Sequence, residues 1–98
     1  MPDARKMARI FKVLSVDTRV RILQLLKGRA LCVNALASKL EISAAAVSQH
    51  LRILRDTELV RAEKRGNFVH YCLNEATLAS WKELAESLLD SGQNQGKL

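Results

Sequence analysis

The stretch Glu41-Ile42-Ser43-Ala44-Ala45-Ala46-Val47-Ser48-Gln49-His50-Leu51-Arg52-Ile53-Leu54-Arg55 decides how the chain folds. Val47, Leu51 and Leu54 recur at i, i+4 and i+7, the spacing that lines one face of an α-helix. Ser43 stands just ahead of that stripe, where its hydroxyl can accept from the amide of residue 45 or 46 and cap the helix. Upstream, Leu36, Ala37 and Leu40 mark a shorter helix beginning near Val33, and Glu41-Ile42-Ser43 separates the two patterns. Two short helices joined by three residues read as a helix-turn-helix. The face opposite the stripe carries Ala45, Ala46, Ser48, Gln49 and Arg52. Small residues at its N-terminal end let the backbone sink into a DNA major groove, which is about 12 Å wide. Gln49 is suited to a bidentate contact with adenine, Arg52 to guanine or a phosphate, and the capped helix start to a phosphate. His50 lies beside the stripe and has two readings: a phosphate contact, or a structural hydrogen bond within the helix-turn-helix.

Working outward, Leu59 to Arg65 is extended and Gly66-Asn67 is a tight turn in which Gly66 takes positive φ. Phe68-Val69-His70-Tyr71-Cys72-Leu73 alternates, with Val69, Tyr71 and Leu73 on one face, so a hairpin follows the helix-turn-helix directly. That hairpin is the wing of a winged helix, and Lys64, Arg65 and Asn67 at its tip can reach neighbouring DNA backbone or minor groove. Asn74 caps a last helix in which Leu78, Trp81, Ala85 and Leu88 recur on one side. At the other end, Ala4 to Leu14 places Met7, Phe11 and Leu14 in one stripe. Asp17 then caps a second helix whose broad apolar face, Val20, Ile22, Leu23, Leu25 and Leu26, predicts burial on most sides, and Gly28 ends it as a left-handed residue. Ala30-Leu31 is short and extended. The expected fold is mainly α with a small β-hairpin (α+β), a winged helix-turn-helix of five helices plus a two-stranded wing. Residues 1–91 form a single domain and 92–98 a flexible tail.

Charge agrees with a polyanionic partner. The 98 residues carry sixteen Lys+Arg against ten Asp+Glu, a net +6. Residues 1–65 hold fourteen of those cations and six of the acids, whereas the remainder is net acidic. One face for a polyanion and another element turned elsewhere is the reading of that asymmetry. At 48% hydrophobic and 27% charged the composition is that of a globular domain. Two cysteines are too few for a disulfide scaffold, and no apolar run approaches the roughly 18 residues of a membrane span. A soluble, cytoplasmic protein with no membrane partner is expected. Catalysis is not expected, because no Ser/His/Asp, Cys/His or paired-carboxylate arrangement forms and both histidines lie on the recognition helix and the wing. The competing reading is a winged-helix protein-interaction module, or a regulator without an inducer site.

Val13-Leu14-Ser15-Val16-Asp17-Thr18-Arg19-Val20-Arg21-Ile22-Leu23, then Ala44 to Arg55 with its Ser48-Gln49-His50-Leu51 core, then Leu59-Val60, resembles the ArsR/SmtB family of winged-helix repressors. The similarity covers about residues 4–90. It implies a homodimer, joined by the first and last helices, that blocks transcription at a palindromic double-stranded operator. The base-reading helix maps onto Ser43 to Arg55. One departure is Glu58, where the family usually has Gly. A left-handed residue there costs Glu roughly 1 kcal/mol, which leaves a differently built turn open. Dimerisation also follows from the residues. Met7, Phe11 and Leu14 at one end, and Leu78, Trp81, Ala85 and Leu88 at the other, are more apolar than so small a core needs. Pairing them across a two-fold sets two recognition helices about one DNA turn, ~34 Å, apart.

Family members that sense metals or oxidants commonly carry Cys-x-Cys at the start of the third helix. Here Cys32 is present but Asn34 replaces the second thiol, and the last helix holds no histidine. A conventional metal site is therefore not expected. A weaker candidate remains, because in winged helices the strand before the third helix pairs with the second wing strand. That pairing brings Cys32 towards Cys72, with His70 on the same face, as a reversible disulfide or a seat for a soft metal or metalloid ion. The alternative is that both cysteines are small buried hydrophobes and His70 a solvent-facing wing residue.

Overall fold

Helix α1 (Ala4–Leu14) and helix α2 (Asp17–Leu25) lead into a two-residue strand β1 (Leu31–Cys32). Helices α3 (Val33–Leu40) and α4 (Ala44–Asp56) form the helix-turn-helix, strands β2 (Val60–Arg65) and β3 (Phe68–Leu73) form the wing, and α5 (Glu75–Leu89) closes the chain. The structure is a computed structural model that describes residues 3–92. Apart from Gly92, the expected tail lies outside the described residues. The winged helix-turn-helix is the one the sequence implies, and the strand before α3 joins the two wing strands as expected, which makes the sheet three-stranded. β1 pairs antiparallel with β3, Leu31 opposite Tyr71 and Cys32 opposite His70, giving the strand order β1-β3-β2.

The centre of the molecule is a set of aliphatic side chains with almost no solvent contact: Ile22, Leu26, Leu36, Val47, Leu51, Leu54 and Leu59. They come from α2, α3, α4 and the turn after α4, and burying each contributes about 1.5–3 kcal/mol. Local chemistry delivers these helices to the core. The Ser43 side chain accepts from the Ala46 amide at 3.1 Å and starts α4, and Asn74 does the same for Thr77 at 3.4 Å in α5. At α2 the N-cap is Val16, without a side-chain bond, and Asp17 is the first helical residue. Asp17 therefore serves the helix dipole rather than the cap. Nor is α2 buried on most sides: Ile22, with Leu26 at its end, faces the core, Leu23 and Leu25 are half-buried and Val20 is exposed. Gly28 and Gly66 both take positive φ, at 75° and 62°.

Helix α1 turns differently from the expected Met7/Phe11/Leu14 stripe. Its buried residues are Met7, Ile10 and Val13, and Phe11 is 37% exposed. Seven of its eleven residues are apolar or small, wrapping more than half the helix, so its packing against α2 and α5 selects the face. Helix α5 is the opposite case. It is fifteen residues long and none of them is buried, although Leu78 and Trp81 pack against the core.

The turn after α4 is left-handed despite lacking glycine. Leu59 N–H donates to the Leu54 carbonyl at 2.9 Å and Glu58 N–H to that of Arg55 at 2.8 Å, with Glu58 at φ 62°. This pair of bonds is a Schellman closure, and it sets Leu59 against Leu54 at the core. Glu41 ends α3 in the same way at φ 57°. Relief of left-handed strain outweighs the extra freedom glycine has when unfolded, so Glu58→Gly raises stability by about 0.5–1 kcal/mol. A denaturant midpoint that is unchanged or lowered contradicts this reading of the turn.

Candidate nucleic-acid interface

The core holds α4 by one side only. Val47, Leu51 and Leu54 are at most 1% exposed, while Ala45, Ser48, Gln49, Arg52 and Arg55 are exposed and Ala46 and His50 half-buried. A helix that buries Val47 and Leu51 presents Ala45, Gln49 and Arg52 on the far side, since neighbours in sequence stand 100° apart. None of the polar groups on that side is tied up: Gln49, Arg52 and Arg55 form no hydrogen bond or ion pair within the described residues. The cap at Ser43 uses the Ala46 amide, which leaves the amides of Ala44 and Ala45 at the helix start facing outward, where the dipole favours an anion.

The wing stands beside this helix. A cleft of about 550 Å³ separates them, lined by Ser48, Leu51, Arg52, Arg55, Asp56 and Tyr71. Arg55 and Tyr71 are additions to the sequence reading. Arg55 continues the exposed side one turn beyond Arg52, a spacing the sequence contained. Tyr71 enters because tertiary packing sets its side of β3 against the core at the edge of this cleft.

At the wing tip, Lys64 and Asn67 are exposed and unpartnered among the described residues. Arg65 is not free to the same degree. Its Nη2 lies 3.6 Å from Glu63 Oε2, and Arg61 Nη1 lies 3.5 Å from Glu63 Oε1. These are exposed pairs, worth little in stability, but they orient Arg65 along the strand. Across from Arg65 and Lys64 stand Phe68, 64% exposed, and Val69, 42% exposed. Val69 shares a face with Tyr71 and Leu73, which pack against the core, but the wing reaches past the core and leaves Phe68 and Val69 uncovered.

His50 is tied back into the domain. Arg19 Nε donates to His50 Nδ1 at 3.4 Å, and Arg19 Nη1 donates to the Val13 carbonyl at 3.3 Å. Of the two readings open at the sequence level, the structural hydrogen bond is present. No local pattern marks Arg19 in the sequence, because its partner lies thirty-one residues away with no periodicity to connect them.

Cys32, His70 and Cys72 share the outer face of the sheet, but not as a bridge or a metal cage. Cys32 is opposite His70, whereas Cys72 is opposite Arg61 on β2. Cys32 and Cys72 are therefore diagonal neighbours, and diagonal positions sit ~7–8 Å apart, at or beyond what a disulfide spans without backbone movement. Both thiols are free. Among the described residues no three His, Cys, Asp or Glu side chains gather to hold a metal ion. The Cys72 thiol turns away from Cys32 and donates to Glu63 Oε1 at 3.5 Å and to the Arg61 carbonyl at 3.9 Å. Burial pushes its pKa up, and the accepting Glu63 carboxylate adds to the rise, against the pull of Arg61. A thiol held protonated in this way is a poor nucleophile. His70 Nδ1 is buried without a partner among the described residues.

The acid side of that balance is testable. In a Cys32→Ser background, Glu63→Gln removes the negative charge and leaves Arg61 in place, so Cys72 alkylation at pH 8 accelerates severalfold. An unchanged rate means that Glu63 does not hold the thiol proton.

No helix is long and apolar enough to cross a membrane among the described residues. Residues 17–62 match the family described as "Bacterial regulatory protein, arsR family", a span from the start of α2 into β2. The chain is 33% identical over 88 residues to the transcriptional repressor SdpR of Bacillus subtilis, covering 90% of this chain and 98% of that one. It is 35% identical over 92 residues to a transcriptional repressor SmtB homolog of Synechocystis, covering 93% and 70%. An ArsR-like transcriptional regulator from Rhodococcus superposes with a TM-score of 0.78 at 27% identity, covering 93% of this chain and 86% of that one. A winged helix-turn-helix with a free polar face on α4, together with these similarities along nearly its whole length, makes this chain a member of the arsR family of bacterial transcription regulators, which are not enzymes.

Proposed function

We propose that the chain works in the cytoplasm as a homodimer that binds a palindromic operator and represses transcription. One observation carries the DNA reading: α4 is sealed on one side by Val47, Leu51 and Leu54 and offers Ala45, Ser48, Gln49 and Arg52, unpaired, on the other. In this reading Gln49 and Ser48 read base edges, with Ser43, Ala45 and Ala46 letting the helix start approach the groove floor. Arg52 serves a guanine or a phosphate, and Lys64, Asn67 and Arg65 hold the neighbouring backbone. Lys64 is the strongest of the three, because Glu63 competes for Arg65. The repressing sign rests on the similarity to proteins named as repressors.

The dimer reading rests on uncovered apolar surface. Phe11 on α1 and Leu88 and Leu89 on α5 are exposed, the last two at 53% and 73%, beside the half-buried Leu14, Leu78, Trp81 and Ala85. A second copy placed on these helices covers them across a two-fold and brings two α4 helices into register with successive grooves. Met7 belongs to the fold of the single chain rather than to that surface. No inducer is assigned to Cys32, His70 and Cys72, since the sheet separates the thiols and burial, with the Glu63 carboxylate adding to it, pushes the Cys72 pKa up.

Gln49→Ala lowers the preference for operator over random DNA by about 1–3 kcal/mol. Lys64→Ala weakens both DNAs alike and flattens the slope of log affinity against log salt by about one unit. Equal operator preference in wild type and Gln49→Ala removes Gln49 as a base reader, and binding indifferent to salt favours the protein-interaction reading. Leu88→Glu, at an already exposed position, shifts the chain from dimer to monomer in analytical ultracentrifugation while thermal unfolding stays cooperative. A dimer that persists places the interface elsewhere.

A further inference from the structure

His50 sits at the edge of α4, about 60° round the helix from Val47 and 100° from Gln49, between the sealed stripe and the exposed side. Its Nδ1 accepts from Arg19 Nε, and the same guanidinium reaches the Val13 carbonyl, so one side chain on α2 links the end of α1 to the recognition helix. A guanidinium offers donors only. With Nδ1 accepting, the ring proton sits on Nε2. That Nε2 has no protein partner among the described residues, and it is not a buried orphan, a condition found only at His70 Nδ1. His50 is half-buried, which puts an oriented N–H donor at the boundary between domain and solvent.

A helix lying in a major groove meets base edges with its leading side and the flanking sugar-phosphate strands with its edges. Resting on the reading that α4 enters such a groove, we propose that His50 Nε2 donates to a backbone phosphate at the α4 edge, with Arg19 as the positioning residue that fixes its tautomer and ring orientation. The two readings of His50 left open by the sequence then describe two nitrogens of one ring. Because the donor is neutral, it contributes affinity without releasing a counterion, unlike Lys64. Because phosphates are the same at every step, it contributes equally to operator and random DNA.

The test uses the full chain with an operator recovered by selection from random-sequence duplexes. His50→Asn keeps an acceptor where Nδ1 lies and removes the Nε2 donor. It weakens operator and random DNA alike, by about three- to tenfold, the range of one hydrogen bond, and leaves the salt slope unchanged. Arg19→Met weakens binding in wild type but has less effect in the His50→Asn background, because the positioned donor is already gone. Long-range ¹H–¹⁵N spectra of the wild-type imidazole place its proton on Nε2, and that N–H signal moves when DNA is added. His50→Asn binding both DNAs as tightly as wild type overturns the proposal, as does a ring proton found on Nδ1. If wild type itself shows no operator preference, the DNA reading of α4 falls as well; if it does and His50→Asn matches it, only the His50 contact falls.

Discussion

Val47, Leu51 and Leu54 give α4 a single rotational setting on the domain. Each is sealed against side chains from α2, α3 and the turn beyond α4, and turning the helix by one residue brings at least one of them into water. That exposure costs about 1.5–3 kcal/mol per side chain, as much as the best single contact on the polar side returns. What α4 presents outward is thus decided by what it buries. The left-handed closure at Glu58 belongs to the same constraint, since it carries Leu59 back onto the core and aims β2 away from the helix. Arg19 adds a finer control, tying the edge of α4 to the last turn of α1.

From that fixed helix the rest of the surface sorts by how well it is covered. The wing grows out of the core at Leu59 and Val60 and leaves it by Phe68, so its tip projects beyond the helices with cations on one strand and bare apolar side chains on the other. Helices α1 and α5 are covered on one side only. The molecule measures 55 × 22 × 21 Å, far from spherical, and the elongation leaves fifteen residues of α5 without a buried side chain. Incomplete burial on α1 and α5, and free polar groups on α4 and the wing, are matched in the proposed function to partners of different chemistry. A second copy suits the first and a duplex suits the second.

Much of this was written plainly in the chain. The period of Val47, Leu51 and Leu54 is clear because the intervening residues are polar apart from Ile53, which borders the same stripe, and Ser43 and Asn74 stand where a cap must stand. Gly66 marks the wing turn for the same local reason. Helix α1 was harder, since its apolar residues spread too widely for periodicity to choose between Phe11 and Ile10. Only packing against α2 and α5 makes that choice. Glu58 shows the reverse problem: sequence preference argues against a left-handed residue, and tertiary burial of Leu59 overrides it. The Arg19–His50 link and the turning of Cys72 towards Glu63 depend on which strands and helices become neighbours. No local pattern carries that information.

Hydroxyl-radical footprinting of the full chain on its selected operator addresses the central claim, that paired α4 helices enter successive grooves, most directly. Two protected patches on one side of the duplex, offset by about ten base pairs and appearing together as protein is added, are the expected result. A single patch, or uniform protection without a phase, contradicts it.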